Sequence, residues 1–176
     1  MSASIDVTES MLYDALRTFL LELVSCPVQK SQQNEVPMPQ GDFILMTGLN
    51  APGLSTDKVT FIPGQGNPGN ETHTRSTQWN AQLDCYGPSA ANMAALIATV
   101  FKTDYAAAAL AEAAIEIQPL YAETPRQMTI VNSENQYNSR WIVELVFQYN
   151  PVVTLPQDFA IGLTVVPAEV DAVFPP

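Results

Sequence analysis

Trp141-Ile-Val-Glu-Leu-Val-Phe-Gln-Tyr149 is the stretch of sequence that decides the fold. Its odd positions are all large and apolar or aromatic, whereas Glu144 and Gln148 stand among the even ones. Because successive side chains of a strand point to opposite faces, this alternation predicts a long β-strand whose odd row faces the core. We expect the even row to meet solvent or a neighbouring subunit. Pro151 ends the strand, since proline has no N–H for the ladder.

A second strand of the same kind is predicted between Thr77 and Cys85. Its apolar residues alternate with the amides Gln78, Asn80 and Gln82. This pattern is typical of an antiparallel strand with one wet face. The wet face is amide-rich and nearly uncharged, so it suits a polar subunit interface as well as it suits water.

Two main helices are predicted. Residues 8–25 carry leucine and phenylalanine at helical spacing, and Thr8 is placed to act as the N-cap. The second helix opens at Gly87-Pro88-Ser89, with proline in the first turn, and its apolar stripe reaches Phe101. The alanine-rich tract 106–114 either extends this helix or forms a second short one.

Shorter apolar runs predict strands at Phe43–Thr47 and Lys58–Ile62, and a further strand begins at Val28. Two segments are predicted to be irregular: the loop 119–127, held by two prolines, and the glycine- and proline-rich segment Pro63–Asn70. The order of elements indicates an α+β fold. We expect a mainly antiparallel or mixed β-sheet with the two main helices packed on one face.

A chain of 176 residues with 47% hydrophobic content is able to bury one core, so residues 1–176 are predicted to form a single domain. The core is expected to span about residues 7–159. Residues 160–176 are apolar and acidic and end in prolines. We interpret them as an extended C-terminal arm, which either adds a strand to a neighbour or packs poorly.

The charge balance argues against several classes of protein. The net charge is −11 with only seven lysines and arginines, which leaves no basic surface to wrap nucleic acid. Cys26 and Cys85 lie in apolar contexts without CxxC spacing, so we predict buried free thiols in a reducing compartment. No basic segment precedes an apolar run at the N-terminus, and no apolar run approaches about 18 residues, so neither a signal peptide nor a membrane span is expected.

No constellation of residues predicts catalysis, a metal site or a cofactor. His73 has no second ligand at metal spacing and is expected to be a surface residue in a flexible polar stretch. Asp84 and Glu144 would be paired carboxylates if they faced each other, although solvated or interface charges fit them better. Arg126 and Arg140 suit carboxylate pairs that fix loops or join subunits, and equally suit exposed charges of little energetic weight. We therefore predict that the chain is not an enzyme.

Five stretches of the chain are informative when they are considered together, in their order and spacing. They are QNEVPMPQGDFILM (33–46), TRSTQWNAQLDCYGPSAANMA (74–94), PLYAETPRQM (119–128), ENQYNSRW (134–141) and QYNP (148–151). In this order and spacing they resemble the neck or tail terminator proteins of long-tailed bacteriophages, particularly contractile ones. The resemblance implies a virion structural protein that forms a ring, typically a hexamer, at the head-proximal end of the tail. Such a ring stops polymerisation of the tail tube and offers a surface for head–tail joining.

The resemblance also implies partners and a location. The partners are copies of the chain itself, the tail tube protein, the head–tail connector and, in a contractile tail, the sheath protein. DNA passes through the lumen without specific binding, no membrane is involved, and the subunit reaches the virion neck after assembly in the host cytoplasm. We expect interface residues at Tyr121, Glu123, Arg126, Glu134, Gln136 and Arg140 within the motifs, and at Gln78, Asn80 and Gln82 on the amide-rich strand.

Two other functions remain open at this point. A head-completion or connector protein would join the portal to the tail, and it would follow twelvefold instead of sixfold symmetry. A small-molecule-binding domain or hydrolase would use the segment 119–140 as its site. That class requires a concave pocket with convergent polar groups.

Overall fold

Three helices and twelve strands occupy the part of the chain that the computed structural model describes, which is residues 2–34, 37, 39–64, 69–131, 137–158, 160 and 164–166. The helices are α1 (Glu9–Leu23), α2 (Ala90–Val100) and α3 (Asp104–Ala111). The strands are β1 (Ser4–Ile5), β2 (Val28–Lys30), β3 (Phe43–Asn50), β4 (Lys58–Ile62), β5 (Gly69–Thr74), β6 (Thr77–Tyr86), β7 (Ile117–Ala122), β8 (Arg126–Gln127), β9 (Ile130–Val131), β10 (Tyr137–Asn138), β11 (Arg140–Tyr149) and β12 (Val152–Gln157). The α+β prediction is confirmed.

The large sheet has the strand order β2-β3-β6-β11-β7, and β8 pairs with the start of β11 beyond the end of β7. At its centre β6 and β11 pair antiparallel over their whole lengths, from Arg140 opposite Tyr86 to Tyr149 opposite Thr77. The described pairing of β2 with β3 is parallel, so the sheet is mixed. The two strands with the clearest sequence alternation therefore pair with each other inside the sheet.

The core lies between this sheet and the helices, which pack on one of its faces. The odd row of β11 is in this core, since Val143, Leu145, Phe147 and Tyr149 are all buried there. Four aromatic contacts form a continuous series that runs from α1 through the end of α2 and across the sheet back to α1. Their ring centroids are 6.1 Å apart for Phe19 and Phe101, 4.9 Å for Phe101 and Phe147, 5.3 Å for Phe147 and Trp79, and 5.6 Å for Trp79 and Tyr13.

The helices largely follow their sequence signals. Thr8 is the N-cap residue of α1, although its side chain makes no capping hydrogen bond. The alanine-rich tract forms the separate helix α3, bent by 84° from α2 at the break between them. Thr103 stabilises this break, because its hydroxyl donates to the carbonyl of Val100 at 2.7 Å. No single helix in the described ranges is long and apolar enough to cross a membrane.

A second, small sheet has the order β1-β12-β5-β4, with each neighbouring pair antiparallel. Asn150 and Pro151 lead directly from β11 into it. Sequence analysis predicted β4 alone of its four strands. Of the other three, β5 is too polar and β1 too short to show an apolar pattern, whereas β12 follows a proline that was expected to end the preceding strand.

The prediction of a loop at 119–127 is wrong. This segment holds most of β7 and all of β8, both paired with β11. Pro119 is accommodated because β7 is an edge strand, where proline can turn its missing N–H position away from the ladder. The register shifts next to it, between Val146 and Phe147 of β11. The polar run 132–136, the centre of the 63–70 segment and most of the 160–176 arm lie outside the described residues.

Gly87, between β6 and α2, is expected to tolerate no side chain. Its φ is +100°, and a Cβ there would lie 2.6 Å from the carbonyl oxygen of Gly41 and 2.8 Å from the Cα of Asp42. We expect Gly87→Ala to lower the free energy of unfolding by about 3 kcal/mol, because a left-handed conformation and a backbone clash add together.

Gly41→Ala is the matched control for Gly87→Ala. Its φ is +79°, yet a Cβ there would meet nothing within 4 Å. It should therefore cost only the conformational part, about 1–2 kcal/mol. Urea denaturation of both variants decides the question. Equal losses would show that the loop at Asp42 moves aside and that the clash carries no weight.

Candidate interaction surfaces

The face of the large sheet opposite the helices carries a patch of polar side chains. We call this patch the amide face and define it by Gln78, Asn80, Gln82, Glu144 and Gln148. Gln78 lies opposite Gln148, and Gln82 lies opposite Glu144, so the pairs share one face. Gln78 Nε2 donates to Asn80 Oδ1 at 2.7 Å. The residues are half-buried, and their amides offer both donors and acceptors to a partner.

Not all of the even row of β11 is available to a partner. Ile142 and Val146 are buried, which corrects the expectation that the whole row meets solvent or a neighbour. Val146 lies in register between Asn80 on β6 and Tyr121 on β7, two longer side chains that flank its methyl groups. The strand alternation correctly predicts the side of the sheet on which this row lies. It does not show how far the neighbouring strands cover the smaller side chains.

Beside the amide face, the buried Asp84 forms an ion pair with Arg140, whose side chain is 25% exposed. Arg140 donates to Asp84 Oδ1 from Nε at 3.0 Å and from Nη2 at 2.8 Å, and Gln82 Nε2 donates to both carboxylate oxygens at 3.1 and 3.0 Å. The guanidinium also lies 5.8 Å from the ring of Tyr86, which stacks on Phe43. Burial raises the pKa of the Tyr86 hydroxyl, while the nearby Arg140 lowers it.

This geometry does not form a carboxylate dyad. Asp84 lies opposite Ile142 in register, whereas Glu144 lies opposite Gln82. The Asp84 carboxylate is occupied by its arginine and glutamine donors. The Asp84 carboxylate therefore acts as a structural contact, which holds the start of β11 against the end of β6.

The other residues expected at interfaces divide into three groups. Tyr121 and Arg126 are exposed and lie opposite Val146 and Ile142, so the register places them on the same side of the sheet as the amide face. Glu123 is also exposed but borders a different cleft, of about 360 Å³, beside Lys102 at the end of α2. Glu134 and Gln136 lie outside the described residues.

The small sheet is a second exposed surface, and sequence analysis missed it. Ile5, Val153, His73 and Val59 align across its four strands in register. Ile5 is 53% exposed and Val59 is 42% exposed, although both are large and apolar. His73 does not lie in a flexible stretch, because it belongs to β5 and its Nε2 lies 2.8 Å from Glu71 Oε1.

A cleft of about 700 Å³ separates the small sheet from the helices and is lined by Asp6, Met11, Lys58, Ile115 and Glu116, among others. Its charged side chains, Asp6, Lys58 and Glu116, are distributed around an open groove. Within the described ranges no three His, Cys, Asp or Glu side chains are grouped to hold a metal ion.

The two cysteines are free thiols, with Cys85 buried and Cys26 half-buried instead of fully buried as predicted. Burial raises the pKa of the Cys85 thiol to about 12. This thiol is therefore protonated at neutral pH and a poor nucleophile.

Comparison with known proteins gives a family. No curated protein matches the chain. A family model described as phage neck terminator protein matches residues 10–171, which is nearly the whole chain and includes every described strand except β1. The resemblance seen in the five sequence stretches is confirmed. The chain belongs to the phage neck terminator protein family and is a structural component of the virion neck.

Proposed function

We propose that the chain is the tail terminator subunit of a long-tailed phage. Six copies form a ring on the head-proximal end of the tail tube, stop its polymerisation and provide the surface for head–tail joining. In a contractile tail the same ring contacts the last ring of the sheath. The observation that carries this proposal is the family match over residues 10–171.

The two exposed surfaces support it. A subunit of a capping ring needs one pair of surfaces for its neighbours in the ring and another surface for the tube below. Ring contacts are heterologous, because only unlike surfaces that meet head to tail close at a number larger than two. The small sheet and the amide face are separate and differ in chemistry. We assign the first to the neighbours in the ring and the second to the tube.

The amide face fits the capping role because of its hydrogen-bonding chemistry. A terminator must bind the last ring of the tube yet deny a further ring its template. The four amide side chains of this face both donate and accept, so they satisfy exposed polar groups of the tube end, and Glu144 is the one carboxylate beside them. Tyr121 and Arg126, on the same side of the sheet, are of the residue types that dominate the energy of protein interfaces.

DNA passes through this ring on its way out of the head. The net charge of −11 supports a lumen that repels the phosphate backbone, so that DNA slides without sticking. A neutral or basic lumen in the assembled ring would contradict this part of the proposal. Assembly takes place in the host cytoplasm, and the ring then stays at the neck of the virion.

Tube growth in the presence of the purified chain tests the capping function. We expect sixfold rings on tube ends in negative stain and a halt in tube elongation. Tyr121→Ala should weaken capping about tenfold, because truncation of an interface tyrosine commonly costs 1–2 kcal/mol or more.

Leu96→Ala is the matched control for the capping test. Leu96 is 43% exposed on α2 and Tyr121 is 46% exposed on β7, so the two truncations remove similar exposed groups from different faces. Twelvefold rings that bind the portal would favour the connector function instead. A chain that ignores tube ends at high concentration would contradict the terminator function.

A further inference from the structure

We propose that a β-hairpin at one end of the subunit enters the cleft of about 700 Å³ at the opposite end of the next copy, and that this contact closes the ring. The described part of the hairpin consists of residues 126–131 and 137–142, and we call it the projecting hairpin. This inference rests on the proposed ring and names the two surfaces that join its subunits. The occupant of the cleft is thus a second copy of this chain.

The projecting hairpin is one continuous ribbon, although its strands are short. The strand β8 pairs with the start of β11, and the same register continues without a shift into β9 and β10, where Ile130 lies opposite Asn138. Between these pairs the N–H of Met128 donates to the carbonyl of Arg140 at 2.9 Å. The strands β8 and β9 therefore form one arm of the hairpin, and β10 with the start of β11 forms the other.

The outer half of the projecting hairpin extends beyond the large sheet. Arg140, opposite Tyr86, is the first residue of β11 that pairs with β6. Within the described residues β9 and β10 pair only with each other, and Met128, Thr129 and Asn138 are exposed. A two-stranded ribbon on its own is only marginally stable in water. We therefore expect a partner to cover it.

The direction of the projecting hairpin favours a neighbour in the ring over the tube. The hairpin continues β11 along the strand direction, since its register is that of the sheet. The side chains of the amide face stand roughly perpendicular to that direction, as strand side chains do. With the amide face against the tube, as proposed, the hairpin runs across the tube end and toward the next subunit.

The cleft lies at the other end of the same strand. It is lined by Asn150, which directly follows β11, and by Ser76, which directly precedes β6. The ten residues of β11 span about 30 Å, so the hairpin and the cleft are at opposite ends of the subunit. Unlike surfaces at opposite ends give the head-to-tail contact that a closed ring requires. Two hairpins that met each other would instead stop at two copies.

The lining of the cleft suits a short polar turn. Beside apolar side chains it presents four hydroxyls, from Ser55, Thr56, Thr74 and Ser76. The residues that connect the two arms of the hairpin, 132–136, are Asn-Ser-Glu-Asn-Gln, and amides and hydroxyls both donate and accept hydrogen bonds. The cleft volume is within the range of about 300–1,000 Å³ that buries a ligand of drug size, which is also the size of a few residues.

Shortening the projecting hairpin tests the proposal in the full chain, with tail tubes of the parent phage present. Residues 131–137 are replaced by Asn-Gly, which closes a two-residue turn on the existing pair of Ile130 and Asn138. The urea midpoint of the monomer should stay unchanged, because the large sheet keeps all of its pairs. Ring formation, measured by sedimentation and negative stain, should weaken at least about tenfold.

Thr56→Trp is the reciprocal change in the cleft. Thr56 is exposed and lines the cleft, so an indole there occupies the space for the hairpin without disturbing the core. It should weaken the ring about tenfold. Thr99→Trp is the matched control, since Thr99 is an exposed threonine that lines the separate cleft beside Lys102. The control should form rings as the parent chain does, and equal losses in both variants would contradict the proposal.

Cross-linking identifies what occupies the cleft. The test variant combines Asn138→Cys with Asn150→Cys in a Cys26→Ser background, treated with a short bismaleimide. Within one chain the two positions lie beyond opposite ends of β11, more than about 30 Å apart, so a shorter cross-link joins two copies. We expect a ladder on denaturing gels that ends at six chains.

Two further variants exclude other occupants. Asn138→Cys alone should give no covalent dimer, since a dimer would reveal hairpin against hairpin and overturn the proposal. Val165→Cys, which is 72% exposed, replaces Asn138→Cys in the second variant. A cross-link from this position to Asn150→Cys, with none from Asn138→Cys, would place the C-terminal arm in the cleft and overturn the proposal.

The outcomes separate this inference from the proposed function. Rings that cap tubes and withstand the loss of residues 131–137 would overturn the hairpin contact and leave the terminator function standing. A ladder of six chains without capping would support the hairpin contact and contradict the terminator function. Monomers that give neither ladder nor capping would overturn both.

Discussion

Replacing Arg140 with alanine is expected to lower the free energy of unfolding by about 3–5 kcal/mol, because it leaves the carboxylate of Asp84 buried without its charge partner. Asp84 is a buried residue, and Arg140 donates to its Oδ1 at 2.8 and 3.0 Å. The remaining donor, Gln82 Nε2, is neutral and cannot offset the charge. Urea denaturation measures the loss.

The exposed ion pair of Arg75 and Asp57 is the matched control for Arg140→Ala. Its atoms are 3.7 Å apart, and the two side chains are 50% and 42% exposed. Arg75→Ala should therefore cost about 0–1 kcal/mol. In addition, Arg140→Met combined with Asp84→Leu should cost less than Arg140→Ala, because no buried charge then remains. A double variant that is less stable than the single one would show that the pair itself, and not the orphaned carboxylate, carries the effect.

This ion pair joins two of the family's sequence stretches. Asp84 lies in the stretch 74–94 and Arg140 lies in the stretch 134–141, which are far apart in the chain but adjacent in the sheet. Loss of the pair should therefore disturb the end of β6 and the start of β11 together. Since both strands carry the amide face, the proposed capping activity should fall with stability in Arg140→Ala and recover in the double variant.

The sequence predicted the elements that bury a regular apolar face. The alternation in β6 and β11 and the apolar stripe of α1 state which side faces the core, and the structure agrees. The strands β5 and β1 carry no such pattern, because β5 is polar and β1 has only two residues. Both pair with β12, which is far away in the chain, and β5 pairs in addition with its neighbour β4. The strand β7 was missed for another reason. Pro119 indicates a loop locally, and only its edge position makes it compatible with a strand.

Sequence analysis names candidate interface residues one by one, but it does not show how they group into surfaces. Gln78, Asn80 and Gln82 share one face through strand alternation alone. Their grouping with Arg126 and Tyr121 depends on the register of β7 and β8 against β11, which periodicity does not encode.

Phe147→Ala is expected to cost about 3–5 kcal/mol of unfolding free energy, as large-to-small changes at fully buried aromatic residues do. Phe147 is fully buried at the centre of β11 and contacts both Trp79 on the sheet and Phe101 at the end of α2. Because its neighbours belong to the sheet and to a helix end that the break at Thr103 holds in place, we expect little collapse of the cavity and a loss near the top of this range.

Two variants are the controls for Phe147→Ala. Phe147→Leu keeps most of the side-chain volume and should cost less than about 1.5 kcal/mol of unfolding free energy. Tyr105→Ala, at a half-exposed site, should cost about 0.5 kcal/mol. The measurement belongs at concentrations where the chain is monomeric, since ring formation would stabilise every folded variant and mask the difference. A loss for Phe147→Ala no larger than that for Phe147→Leu would show that α2 moves in to fill the space, and that the aromatic contacts do not fix the helices on the sheet.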